Sequence, residues 1–133
     1  MPHLMLDYSA DLSARGDIGG LCRKLAACLI AQRADGQQVY PTGGVRVRAF
    51  AADACCIADG SVEASYLHAS LMVGVGRSES TRRATGDALF AVMKEHFAEL
   101  FERSGLALSL ELGEFSESGT WKHNNLHARM RQR

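Results

Sequence analysis

Apolar and polar residues alternate along this chain with two different periods, and each change of period marks an element. Leu4 and Leu6 fall on one side of the segment His3 to Tyr8, which predicts a strand at the very N-terminus. From Asp17, a plausible N-cap, the period lengthens. Ile18, Leu21, Cys22, Leu25, Cys28 and Leu29 recur at helical spacing, and Gly36 is placed to end that helix. After the turn-rich Tyr40-Pro41-Thr42-Gly43-Gly44, period two returns. Val45, Val47 and Ala49 share one strand face, and Arg46, Arg48 and Phe50 share the other.

The same order then repeats. Tyr66 to Val73 predicts a third strand with Leu67, Ala69, Leu71 and Val73 on one face. Gly74-Val75-Gly76-Arg77-Ser78 leads into a long helix, capped at Ser78 or Ser80. Its apolar stripe runs through Leu89, Val92, Met93, His96, Phe97, Leu100 and Phe101. Gly105 stops it, and Leu106 to Leu112 predicts a fourth strand. The tail from Phe115 onward is largely polar, with Trp121 and Leu126 its large apolar interruptions ahead of Met130. The order is β-α-β followed by β-α-β, which predicts an α+β chain with both helices on one sheet face. Pattern alone leaves open a ferredoxin-like sandwich and other two-layer arrangements of these elements.

Length and composition narrow the classes. With 133 residues, 47% apolar and 23% charged, the chain fits one domain, residues 1–133. Its two units span roughly 2–51 and 65–115, with a tail over 116–133. Fifteen basic and fifteen acidic residues cancel. That balance argues against nucleic acid or an anionic membrane as partner, and it leaves little charge repulsion to oppose self-association. No signal-like or membrane-spanning apolar run is evident, so a cytoplasmic setting is expected. Cys22, Cys28, Cys55 and Cys56 form no C-x-x-C pair and read as ordinary reduced thiols.

Candidate chemistry concentrates in a few places. Pro2 follows Met1, and methionine aminopeptidases remove Met before small residues. The freed proline would present a secondary amine, a base whose pKa falls toward neutrality when it is desolvated among cations. Arg46 and Arg48 lie two apart on one strand face, where a guanidinium fork suits a carboxylate and a solvated face is the alternative. Gly74–Ser78 sits at a strand-to-helix junction, where free amides attract anions or simply form a capped turn. It fits neither the dinucleotide fingerprint nor the Walker pattern. His123 and His127 are four apart, but no third metal ligand is evident, so no metal is expected. His68 and His96 read as packed, hydrogen-bonded histidines.

Several of these segments together resemble one family. They are Met1-Pro2-His3, Tyr40-Pro41-Thr42-Gly43-Gly44-Val45-Arg46-Val47-Arg48, Ala58-Asp59-Gly60, Gly74–Ser78 and Lys122-His123-Asn124-Asn125-Leu126-His127. In joint order and spacing they are similar to the 5-carboxymethyl-2-hydroxymuconate Δ-isomerases of the tautomerase superfamily, over nearly the whole chain. The resemblance implies two fused β-α-β units of the kind seen in macrophage migration inhibitory factor. Two long helices would pack on a four-stranded mixed sheet, and three chains would form a barrel-like homotrimer with sheets inward. It implies an enol-to-keto isomerisation in the homoprotocatechuate branch of aromatic-acid catabolism, acting on a di- or tricarboxylate without metal or cofactor. Pro2 would be the acid/base. Arg46 and Arg77 would complete the catalytic set by gripping carboxylates or the developing 2-oxo charge. Arg48 and Ser78 would assist binding. Tyr40, Phe50 and Trp121 would supply apolar walls, Trp121 at a subunit contact. Another tautomerase-superfamily activity, such as a promiscuous keto-enol tautomerase or a halo-acid hydrolase, and a non-catalytic trimeric binding protein remain alternatives.

Overall fold

A computed structural model describes residues 1–133. Strand β1 (His3–Ser9) runs through the middle of a four-stranded sheet of order β4-β1-β5-β6, with β4 Arg46–Ala52, β5 Ala64–Gly74 and β6 Gly105–Phe115. The β1–β4 and β5–β6 pairs are parallel, and β1 meets β5 antiparallel. The sheet is therefore mixed. Helices α2 (Ile18–Ala31) and α3 (Glu79–His96) join the parallel pairs and pack on the sheet and on each other. Parallel neighbours need a crossover of this kind, and the helical repeats supply one in each half.

The core lies between sheet and helices. Leu4, Leu6, Leu67, Ala69, Leu71 and Val73 from the central strands meet Leu21, Leu25, Leu29, Leu89 and Met93 from the helices. Strand alternation puts every second residue there, and the register Leu4↔Val47, Leu4↔Leu71 keeps all inward positions on one face. Leu6 is wholly buried, so Leu6→Ala leaves a cavity costing about 2–5 kcal/mol. The expected fall in Tm, read by circular dichroism, is on the order of 10 °C.

The helix ends follow their local chemistry. Asp17, at φ 43°, accepts from the Gly20 amide at 3.1 Å. Ser78 accepts from the Thr81 amide at 3.2 Å. Both caps agree with the sequence reading. Helix α2 stops at Ala31 rather than running toward Gly36. Residues Arg33–Ala34 (β2) and Gln37–Gln38 (β3) form a small hairpin, with Asp35 and Gly36 both at positive φ. The second long helix breaks at Phe97 into α4 (Ala98–Arg103), which rotates Phe101 out to 58% exposure. Phe101 therefore leaves the predicted stripe, and buried Thr85 joins it. A short helix, α1 (Leu12–Arg15), precedes α2, and α5 (Leu126–Arg131) closes the chain.

Two histidines differ in setting. His96 is packed as expected, its Nε2 2.7 Å from the Gly16 carbonyl and its Nδ1 3.0 Å from Lys24 Nζ. His68 is hydrogen-bonded to Ser109 and Glu111, but on the open sheet face rather than in the core. His123 lies ahead of α5 and His127 within it, so the two do not share a helix face. All four cysteines are free, and burial pushes the Cys22 and Cys28 thiols up. No helix is long and apolar enough to cross a membrane.

Candidate active site

The N-terminus is laid into the molecule by strand pairing. The Arg46 amide donates to the Pro2 carbonyl at 3.0 Å, which continues the β1–β4 ladder one residue past His3↔Arg46. Pro2 is buried. Because β1 and β5 are antiparallel, the start of β1 lies beside the end of β5, where Gly74–Ser78 turns into α3. Topology thus gathers the residue at the chain start, the arginine opening β4 and the arginine preceding α3 at one corner of the sheet.

The corner is cationic. The Met1 amine is held below its ordinary pKa, first by burial and then by the charges of Lys122, Arg77 and Arg46, with Glu117 opposing them. Arg77 is firmly held. Its Nη1 donates to the Gly74 carbonyl and its Nη2 to the Val39 carbonyl, each at 3.1 Å, and the guanidinium stacks 4.7 Å above the Tyr40 ring centre. Arg46 Nη1 donates to the Gly43 and Val45 carbonyls at 3.0 Å. Each guanidinium has five N–H donors, so both keep donors for a guest. On the outer sheet face Arg48 Nη1 lies 3.4 Å from His3 Nδ1. Burial and Arg48 together lower the His3 pKa.

The tail closes over this corner. Lys122 donates to Glu117 at 2.9 Å, and Glu117 Oε1 rests against Gly74, where a β-carbon would collide with it. Asn124 Nδ2 donates to the Gly43 carbonyl at 3.3 Å and lies 3.7 Å from Met1 Sδ. Helix α5 sits on the 3-10 turn Thr42–Gly44 so closely that a β-carbon at Gly43 would stand 2.9 Å from the His127 nitrogen. The glycines there serve close approach rather than left-handed backbone.

Pro2, Arg46 and Arg77 are therefore brought together, with Arg48 one step away along the sheet. Two expectations need correction, those for Tyr40 and Ser78, and two further residues, Phe50 and Trp121, do not act within their own chain. Tyr40 is fully buried, with its hydroxyl 2.9 Å from Thr85 Oγ1, so it backs Arg77 and presents no wall to a guest. Phe50 pairs with Asp7 at the far end of β1, about 13 Å along the strand from Arg46, so it does not desolvate Pro2 of its own chain. Ser78 spends its hydroxyl on the α3 cap and on Ser80 and Thr81. Trp121 is 88% exposed and shields nothing within its own chain. Lys122, Glu117 and Asn124 are the site residues that the sequence reading missed. Lys122 and Asn124 lie in the quoted Lys122–His127 segment, but nothing local to that segment tells that it folds back onto the N-terminus.

A fold of this kind recurs in distant proteins. A macrophage migration inhibitory factor-like protein of Entamoeba histolytica superposes with a TM-score of 0.60 over 92% of this chain and 96% of its own, at 10% identity. The chain therefore shares its fold with such distant proteins. Closer matches narrow the class. The model of the 5-carboxymethyl-2-hydroxymuconate isomerase family matches residues 2–130. A 5-carboxymethyl-2-hydroxymuconate Δ-isomerase of Escherichia coli is 35% identical over 128 residues, covering 96% of this chain and 98% of its own. A 5-carboxymethyl-2-hydroxymuconate isomerase structure from Deinococcus radiodurans R1 has a TM-score of 0.87 and 46% identity, over 97% of this chain and 93% of that one. The chain belongs to the 5-carboxymethyl-2-hydroxymuconate isomerase family, a family of isomerases.

Proposed function

We propose that this protein isomerises 5-carboxymethyl-2-hydroxymuconate from its enol to its keto form, in homoprotocatechuate catabolism, with Pro2 as acid and base. The observation that carries this reading is the N-terminus laid into a cationic corner, where burial first and then the charges of Lys122, Arg77 and Arg46 depress the Met1 amine. Removal of Met1 turns the Pro2 nitrogen from a tertiary amide into a secondary amine among those same charges. Neutral Pro2 takes the proton from the 2-hydroxyl. The enol oxygen becomes a carbonyl, the conjugated double bonds shift along the chain, and the protonated proline returns the proton to carbon. Arg46 and Arg77 hold carboxylates and stabilise negative charge as it builds on the 2-oxo oxygen. Arg48 adds positive field from the outer sheet face. No redox change and no group transfer occurs, so the step balances without a further reactant.

A homotrimer with its sheets turned inward fits the same picture. The outer sheet face exposes Met5, Phe50 and Met72 among its polar residues. Phe50 and Trp121, which serve nothing in their own chain, then become available to a neighbour's site.

Assay with the authentic dienol tests the reading. The expected pH profile of kcat/KM has an ascending limb, because the base must be neutral. That limb lies below the ordinary α-amine value of about 8, since desolvation and cations favour the uncharged form. A limb above that value, or none, contradicts the assignment. Pro2→Ala should keep the circular dichroism spectrum and lose about 10²-fold in kcat. The freed alanine amine remains a base but lacks the ring that fixes the proline nitrogen. Unchanged turnover in that variant rejects Pro2.

A further inference from the structure

The tail contributes a charge pair whose place in the corner has a specific reading. Glu117 is a carboxylate of the protein itself, lying against Gly74, the residue whose carbonyl Arg77 grips. It is held by Lys122 at 2.9 Å, and both side chains keep contact with water, at 36% exposure for Lys122 and 50% for Glu117. The hydrogen bond and charge of Lys122 hold the Glu117 carboxyl below its usual range, and the chain's amine and then Arg77 add to the effect. The site thus already contains one carboxylate bound by its own cations.

Resting on the proposed reaction, we infer that Lys122 is the residue that selects for the carboxymethyl arm of the substrate, and that Glu117 is a resident stand-in which this third carboxylate displaces. The charge count supports it. A tricarboxylate brings three anionic groups. Arg46 and Arg77 account for two, and Lys122 is the further cation acting on the same amine. The mechanics also support it. An exposed lysine–carboxylate pair is weak, so exchange of one carboxylate for another costs little. The ammonium has three donors and spends one on Glu117. The strap that carries Lys122 is itself fixed, by Asn124 on the Gly43 carbonyl and by α5 on the Thr42–Gly44 turn. Lys122 is therefore delivered to the corner by anchored backbone rather than by a loose terminus.

The inference separates two substrates. Steady-state kinetics are measured with 5-carboxymethyl-2-hydroxymuconate and with 2-hydroxymuconate, which lacks the carboxymethyl arm. Compared on the pH plateau where the base is neutral, Lys122→Gln should raise KM for the tricarboxylate several-fold, the scale of an exposed ion pair, while the lost charge moves the ascending limb to higher pH equally for both substrates. KM for 2-hydroxymuconate should stay within about twofold. Lys122→Arg should restore most of the selectivity. Glu117→Gln should lower KM for the tricarboxylate several-fold relative to any change for the dicarboxylate. Equal KM increases for both compounds in Lys122→Gln, or no increase for either, overturn the Lys122 assignment while wild-type turnover leaves the proposed function standing. A rise in KM for the tricarboxylate in Glu117→Gln overturns the stand-in role. Wild-type protein that turns over neither compound rejects the proposed function itself, and this inference with it.

Discussion

Protein that retains Met1 will isomerise the dienol no faster than buffer does. With Met1 in place the Pro2 nitrogen is an amide, whose lone pair is delocalised into the carbonyl and cannot accept a proton near neutral pH. A second effect adds to the first. The Met1 side chain occupies the corner: a β-carbon at Gly44 would lie 3.3 Å from Met1 Cγ, and Asn124 Nδ2 lies 3.7 Å from Met1 Sδ. Under the proposed mechanism the methionine would therefore remove the base and also fill room a substrate needs. Intact-mass spectrometry sorts preparations by Met1 content, and specific activity should scale linearly with the processed fraction. Full activity in a preparation retaining Met1 throughout would show that Pro2 is not the base.

The second large effect is expected for Arg77. Arg77→Ala should lower kcat/KM by about 10²–10³-fold, the scale set by losing one preorganised donor to developing charge. Preorganisation is what the surroundings of Arg77 provide. Two backbone carbonyls and the Tyr40 ring fix the guanidinium plane before any guest arrives. Arg77→Lys should recover little, because an ammonium has no plane to stack and no fork to hold. The loss should shrink for an analogue lacking the carboxylate that Arg77 grips. Because the Val39 and Gly74 carbonyls lose a donor, each variant needs a matched melting curve. An activity loss that merely follows unfolding would assign Arg77 to the scaffold.

Much of this architecture could be read from the residues alone. The alternation of Leu4 and Leu6, of Leu67 to Val73 and of Leu106 to Leu112 is strict, because each strand buries one face against helices. The caps at Asp17 and Ser78 were legible because short polar side chains there answer free helix amides. The Arg33–Gln38 hairpin was not, since two-residue strands carry no period and only Asp35-Gly36 marks the turn. The break at Phe97 was hidden because the apolar repeat continues through it. At the site, the residue-by-residue reading named Pro2, the Arg46–Arg48 pair and the Gly74–Ser78 turn as separate candidates, Arg77 itself entered through the family resemblance, and their union follows from β1 pairing antiparallel with β5. Tyr40 entered as an apolar wall through the resemblance alone, and nothing in its turn-rich segment tells that it is buried beneath Arg77. Lys122 and Glu117 escaped because their partners lie at the other end of the chain.

The central position of β1 also imposes a timetable on maturation. Its two neighbours, Arg46–Ala52 and Ala64–Gly74, leave the ribosome after it, and Asn124 follows later still. At about 5–20 residues per second, the leading end waits on the order of ten seconds before anything can enclose it. Under the proposed mechanism, trimming by the aminopeptidase would belong to that interval. Once the strap has closed, the peptidase must wait for a local opening. Rapid overproduction that outruns the peptidase should thus yield a folded, long-lived and silent fraction, which brief unfolding in the presence of the peptidase would awaken.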